Sequence, residues 1–175
     1  KFDAFIILGI LFLNAGIGYG GSCFQKDVKA VNAVGKERGY LPAFLQEVEE
    51  ANERQKKLFI PKIIKALREV QGDTVTMWGL SFKPKTSDIR GAPSLVMISA
   101  LLRENVKLRV YDPIALSEVQ RIYGDQLTYC SSLDESVTGS HAIVLATEWD
   151  EFRNVQFSQL GKVMKSRILF DGRNI

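Results

Sequence analysis

The spacing of apolar residues changes character along the chain. Between residues 23 and 71 it is helical: Val28, Val31 and Val34 recur at threes, and Phe44, Val48 and Ala51 at four then three. Pro42 suits a first helical turn, and residues 46–57 are rich in strong helix formers. Pro61 has no N–H to donate and its ring crowds the preceding turn, so this stretch is expected as two helices or one bent helix. From residue 72 the pattern alternates. Short apolar runs at 75–80, 107–111, 127–129, 142–146 and 168–170 predict strands, and 93–103, 115–123, 132–137 and 158–165 predict helices. Strands separated by helices imply a right-handed parallel α/β sheet, Rossmann-like in topology. The organisation expected is a loop and central helical region over 1–71, then an α/β domain over 72–175.

The apolar run Ala4-Phe5-Ile6-Ile7-Leu8-Gly9-Ile10-Leu11-Phe12-Leu13 is too short to span a bilayer. With Lys1 before it and Ala15 after it, it imitates a signal-peptide core. A glycine-dense loop follows at once, so the simpler reading is apolar structure cut from a larger protein. Hydrophobic residues make up 46% and charged residues 25%, a globular balance that excludes a disordered or fibrous chain. The net charge of +3 gathers into no dense basic patch, so nucleic acid is not an expected partner. Two cysteines make no disulfide framework and fit a reducing cytoplasm.

The richest stretch is Gly16-Ile17-Gly18-Tyr19-Gly20-Gly21-Ser22-Cys23-Phe24-Gln25-Lys26-Asp27. Glycines allow backbone shapes closed to other residues and let a ligand come near. Cys23 then falls at or near a helix N-terminus, where a thiolate is favoured. Lys26 adds positive charge, and Asp27 lies one helical turn on, on the same face. Thiolate, cation and carboxylate together can perform covalent catalysis with acid–base help. Cysteine is also a common small core residue, but the glycine-rich approach favours an accessible Cys23. Cys130 lacks such surroundings and is assigned to structure.

In an open parallel sheet, ligands collect at the carboxyl ends of strands. Those ends carry Ser81 to Arg90, Asp112-Pro113, Thr147 to Asp150, and Asp171-Gly172-Arg173. Lys83 and Arg173 are candidate anion partners there, beside Phe82; Lys85, Ser87 and Asp150 read as solvated turns and caps. Trp78-Gly79-Leu80-Ser81 is not the G-x-G-x-x-G of a dinucleotide fold. His141, the only histidine, falls at a strand start, away from that rim. A Cys–His hydrolase pair is therefore a weaker reading, and paired metal-ligand spacing is absent.

Four segments together resemble the UDP-glucose/GDP-mannose dehydrogenase family. Phe12-Leu13-Asn14-Ala15-Gly16-Ile17-Gly18-Tyr19-Gly20-Gly21-Ser22-Cys23-Phe24-Gln25-Lys26-Asp27 is similar to its active-cysteine motif, with wording closer to the UDP-glucose branch. Gly79-Leu80-Ser81-Phe82-Lys83-Pro84-Lys85-Thr86-Ser87-Asp88-Ile89-Arg90 resembles the second motif. Thr147-Glu148-Trp149-Asp150-Glu151-Phe152 and Phe170-Asp171-Gly172-Arg173-Asn174 resemble the third and fourth.

The resemblance implies oxidation of the C6 alcohol of a nucleotide sugar, UDP-glucose to UDP-glucuronate, with two NAD reduced to two NADH. The position of Cys23 would be the nucleophile, forming a thiohemiacetal and then a thioester. That of Asp27 would position or activate the hydrolytic water. Phe12, Leu13, Asn14, Tyr19 and Gly20 match positions that cradle the nucleotide sugar; Phe82, Lys83 and Arg173 match further substrate contacts, and Arg90 a contact on the NAD side. The α/β domain would bind UDP, and residues 42–70 match a central helix that joins domains and packs in a homodimer.

Two departures accompany the resemblance. The resemblance implies an NAD-binding domain ahead of the central region, which nothing in these residues matches, nor do the family's lysine, asparagine, threonine and glutamate have a counterpart; the chain alone is expected not to oxidise UDP-glucose. Residues 1–8 fit the pattern poorly, with Ile7 near the place of a family arginine. The alternatives are a non-catalytic UDP-sugar-binding and dimerising module, or a dehydrogenase of another nucleotide sugar.

Overall fold

A computed structural model describes residues 15–40 and 42–175. Phe12, Leu13, Asn14 and the poorly fitting residues 1–8 lie outside the described residues.

Three helices come first: α1 (Ser22–Glu37), α2 (Ala43–Lys57) and α3 (Ile60–Glu69). Pro61 resolves the choice left by the sequence. It sits in the first turn of α3, where its missing N–H costs nothing, and the chain breaks between α2 and α3 at Leu58 and Phe59. α3 drives Ile63 and Leu67 into the main core. α1 and α2 depart from the amphipathic reading. Val28 is buried, but Val31, Val34 and Phe44 are exposed, and the residues α2 buries are Asn52 and Lys56. The reason is the partner: this face of α2 meets the polar backbone of the glycine loop, and backbone groups require hydrogen-bonding partners rather than aliphatic ones.

Five strands follow: β1 (Thr74–Trp78), β2 (Lys107–Tyr111), β3 (Thr128–Tyr129), β4 (Ala142–Leu145) and β5 (Ile168–Asp171). All pair in parallel, in the order β3-β2-β1-β4-β5. Helices α4 (Pro93–Arg103), α5 (Leu116–Tyr123), α6 (Leu133–Val137), α7 (Asp150–Arg153) and α8 (Phe157–Leu160) complete the chain. The fold is Rossmann-like α/β, as expected. β1 is shorter than predicted because Gly79 takes φ +83, which ends the extended run. There a Cβ would lie 2.4 Å from that of Thr147. The helix expected over 158–165 shrinks to α8 followed by turns, and α7 was not anticipated.

Each face of the sheet has its own core. Val75, Met77, Val110 and Val144 pack with α3, α4 and α5 through Ile63, Leu67, Met97, Ile98 and Val119. Trp78, Ile143 and Leu145 pack with Val137, Phe152 and Leu160. Trp78 stacks on Phe152 at 5.3 Å and donates its indole N–H to Ser136 Oγ at 2.8 Å. Alternating inward residues of β1 thus serve both faces. The strand order runs outward in both directions from the β1/β4 pair, so the connections diverge there and open a crevice at the carboxyl ends.

The other end of β1 is closed by polar pairs. His141 is buried, and its Nδ1 accepts the Thr74 N–H at 3.3 Å. Cys130, away from this end and just after β3, is buried as expected of a structural cysteine, and desolvation pushes its thiol up. Hydrogen bonds from Lys107 Nζ (2.6 Å) and Thr74 Oγ1 (2.7 Å) hold the Asp73 carboxyl at about 2, below its ordinary 3.8.

Stability from Asp73 is therefore present above pH 3.8 and is lost as pH falls toward about 2. Its half-exposed side chain keeps the effect small. Asp73→Asn is expected to flatten this part of the stability curve. Urea midpoints of both proteins across that window check this, and parallel curves would refute it.

Candidate functional site

The glycine loop is fastened at several points to the carboxyl end of the sheet. Ile17 is buried and donates its N–H to the Gly172 carbonyl after β5, at 3.0 Å. Gly21 donates its N–H to the Arg90 carbonyl at 2.8 Å. Between these points the loop runs so near its neighbours that side chains cannot be added. A Cβ on Gly20 would lie 2.6 Å from the Gly91 carbonyl oxygen. Gly21, at φ +90, lies against the Phe82 ring, 2.9 Å from a Cβ in its place.

Gly16, Gly18 and Gly21 have the literal spacing G-x-G-x-x-G ahead of a helix. The space beside them is taken by Arg173, Asn52 and Phe82. These glycines serve approach of protein to protein, not of a pyrophosphate to backbone.

The helix α2 supplies most of the rest of the frame, with Gln25 of α1 adding a long bond to the Tyr19 carbonyl at 3.4 Å. Asn52 accepts the Tyr19 N–H at 2.8 Å and donates to the Tyr19 carbonyl at 3.1 Å. Gln55 donates to the Gly16 carbonyl at 2.7 Å. Lys56 buries its stem against Gly18 and pairs with Glu53 at 2.7 Å. Tyr19 packs edge-on against Phe24 at 4.9 Å, and burial, then Glu49 and Glu53, push its hydroxyl up. Sequence reasoning missed Asn52 and Gln55. The available signal was an asparagine, a weak helix former, inside a run of strong ones.

This frame delivers Cys23 as the second residue of α1, exposed to solvent. Lys26 and Asp27, one turn on, are also exposed. Arg90 is raised above its ordinary value, first by its hydrogen bond to Asp88, then by that carboxylate's charge, and more weakly by the charge of Cys23. Arg90 and Cys23 thus share one electrostatic neighbourhood. The Arg90 guanidinium is held by Asp88 through Nε at 2.9 Å and Nη2 at 2.7 Å.

Phe82 lies half-buried under the loop, and the exposed Lys83 places its ammonium 5.3 Å from the Phe82 ring centre. Arg173 is largely buried and already paired with Glu148. Lys85 meets Asp150 at 3.7 Å on an exposed surface, in keeping with a solvated turn. Described residues Cys23, Tyr19, Gly20, Phe82 and Arg90 meet at one junction, with Arg173 on the other side of the loop. His141 does not join them. It lies at the amino end of β1, whose five residues span about 16 Å. The Cys–His hydrolase reading is removed by that separation.

Asp112, expected as part of the ligand rim, is buried and fully engaged instead. Its Oδ2 accepts the N–H groups of Leu80 (2.7 Å) and Ser81 (3.3 Å) and Trp149 Nε1 (3.3 Å), while the Ser81 hydroxyl donates to the Lys83 carbonyl at 2.8 Å. Its Oδ1 accepts the N–H groups of Ile114 (2.9 Å) and Ala115 (2.8 Å). One carboxylate thereby joins the loops after β1, β2 and β4. Thr147 Oγ1 adds a bond to the Ser81 carbonyl, and Ser94 Oγ one to that of Leu80, both 2.6 Å.

Comparison with known proteins finds two family matches: the UDP-glucose/GDP-mannose dehydrogenase family, UDP binding domain, over residues 76–175, and the same family's central domain over residues 3–54. A UDP-glucose 6-dehydrogenase of Pseudomonas aeruginosa is 42% identical over 96% of this chain and 38% of its own length. Among solved structures, a UDP-D-ManNAc dehydrogenase from Pyrococcus horikoshii superimposes with a TM-score of 0.76 and 28% identity, over 91% of this chain and 36% of that one. A UDP-glucose dehydrogenase from Pyrobaculum islandicum gives 0.76 at 24% identity, over 91% and 39%, a likeness of fold. The chain spans about two fifths of the length of the curated relatives it matches. Among the described residues, no helix is long and apolar enough to cross a membrane.

Replacing Asp112 by Asn would turn an amide N–H₂ toward backbone donors on one side or the other. The expected loss is about 3 kcal/mol of folding stability. Urea denaturation measures it, and a loss below about 1 kcal/mol would mean the loops are held by other contacts.

Proposed function

Since the chain belongs to the UDP-glucose/GDP-mannose dehydrogenase family, we propose that it holds a UDP-sugar at the sheet rim and presents Cys23 to the sugar's C6 in an NAD-dependent oxidation. The observation that supports this reading is the docking of the cysteine loop onto residues 82–91: Gly21, which lies against the half-buried Phe82 ring and bonds to the Arg90 carbonyl, stands two residues before an exposed thiol. UDP-glucose is the substrate named for the Pseudomonas relative, and UDP-glucuronate is the product its oxidation at C6 would yield.

In this reading Phe82 offers an apolar face to the nucleotide, and Lys83 offers charge to the diphosphate. Arg173 stays paired with Glu148 and supports the loop from Gly16, so its part is to shape the substrate's bed as much as to bind it. Tyr19 and Gly20 line the sugar side. Once the C6 alcohol has given up a first hydride and a proton, the Cys23 sulfur would add to the aldehyde carbon as its oxygen takes a proton, giving a thiohemiacetal; loss of a second hydride and the hydroxyl proton, each hydride going to NAD, would leave a thioester. Asp27 orients the water that hydrolyses it, and Lys26 adds positive charge at the same helix end.

NAD supplies the hydride acceptor in such chemistry. Neither glycine turn offers a pyrophosphate cradle, since the Gly79 turn is filled by Thr147 and the loop glycines by Arg173, Asn52 and Phe82. Arg90 is the one residue proposed to reach the cofactor, from an exposed edge. The chain's own share is covalent capture and positioning, and the 175 residues by themselves bind without oxidising. A homodimer through the helical region is part of the proposal. The exposed Val31, Val34, Phe44 and Leu58 support it, and sedimentation equilibrium checks it, a monomer at micromolar concentration counting against it.

The test is alkylation of Cys23 by iodoacetamide. UDP-glucose is expected to slow it about tenfold or more, and Cys23→Ser to keep UDP binding by calorimetry. In the same preparation UDP-glucose with NAD is expected to yield no NADH absorbance. A Cys23 that reacts equally with and without UDP-glucose would defeat the reading.

A further inference from the structure

The loop that carries Cys23 has little regular structure to hold it, yet its backbone is held. Two fastenings come from the sheet end, at Gly172 and Arg90. The others come from side chains, with a long bond from Gln25 of α1 to the Tyr19 carbonyl at 3.4 Å and shorter ones from α2, of which the chief is a ring of two hydrogen bonds. Asn52 presents Oδ1 to the Tyr19 N–H and Nδ2 to the Tyr19 carbonyl, as a neighbouring strand would. Gln55, three residues along and so on the same face of α2, takes the Gly16 carbonyl. Asn52 is buried, and its Oδ1 lies 2.8 Å from where a Gly18 Cβ would be, so the clamp and the glycine at φ +104 fit only each other. A buried polar side chain on a helix is costly unless each polar atom is matched, and here both atoms of the amide are. The loop shape that leads into α1, and through it the place of Cys23, follows from that match.

We propose that Asn52, with Gln55 as a second anchor, is a positioning residue. It holds the backbone of residues 16–21 in the form that sets Cys23 against the sugar end of a UDP-sugar gripped by the sheet rim. The inference rests on the function proposed above. It separates two parts of the site: the rim loops joined by Asp112 grip the nucleotide, while the α2 amides fix where the thiol stands. Asn52→Ala removes the two Asn52 bonds to Tyr19, keeps only the 3.4 Å bond from Gln25, and leaves the rim loops untouched.

The experiment compares native chain, Asn52→Ala and Gln55→Ala. It measures calorimetric affinity for UDP, the melting temperature, and the UDP-glucose concentration that half-protects Cys23 from iodoacetamide. For Asn52→Ala, UDP affinity is expected to stay within about twofold, while the half-protecting concentration of UDP-glucose rises about tenfold. Gln55→Ala, which loses one bond, is expected to raise it about threefold. A lowered melting temperature with unchanged half-protection in both variants would make these residues merely structural and overturn the inference, leaving the proposed function standing. If UDP-glucose fails to protect Cys23 in the native chain, both fall. If Asn52→Ala no longer binds UDP because it does not fold, the Gln55→Ala comparison decides alone.

Discussion

A buried carboxylate holds the working end of this sheet together. Parallel strands end in loops that have no ladder to satisfy them, and here three such loops converge on Asp112. Its two oxygens take donors from Leu80, Ser81, Ile114, Ala115 and Trp149. A carboxylate so buried is tolerable because both of its oxygens meet several donors. The residues after β1, which include Phe82, Lys83 and Arg90, inherit their position from it. A rim built from aliphatic contacts alone would leave those backbone N–H groups unpaired.

The same logic governs the other side of the junction. Helix α2 turns polar residues inward, and helix α3, a break away, turns Ile63 and Leu67 inward. What each helix meets explains the difference: α3 lies on strand side chains, while α2 lies on the bare backbone of a glycine loop. Glycine makes the close approach possible, and Asn52 and Gln55 make it stable. The junction therefore consists of two polar fastenings, one on the sheet and one on a helix, with an exposed thiol between them. On the function proposed here, the nucleotide of a bound nucleotide sugar lies at the first and its sugar at the second.

Much of this was legible from residue order alone. The five strands and their parallel sense follow from short apolar runs separated by helical periods, a local signal that burial on both faces enforces. The break at Pro61 follows from the chemistry of one ring. Cys23 at a helix start follows from the glycines before it and the helix formers after it. The four motifs that point to the family are likewise continuous stretches, readable without coordinates.

What only the tertiary structure decided concerns partners distant in sequence. Asp112 read as a rim residue open to ligand, and folding buried it beneath Leu80 and Trp149. Arg173 read as an anion partner, and folding paired it with Glu148. Val31, Val34 and Phe44 read as a core face, and folding left them outside while Asn52 went in. Periodicity reports that a helix has two faces; it does not report what each will meet. Hydrogen bonds between residues 33 to 39 positions apart, such as those from α2 to the glycine loop, leave no mark on local composition. The residue types along the chain thus determined the elements and the chemistry on offer, and long-range packing decided which polar groups are spent on holding the site and which remain exposed to a substrate.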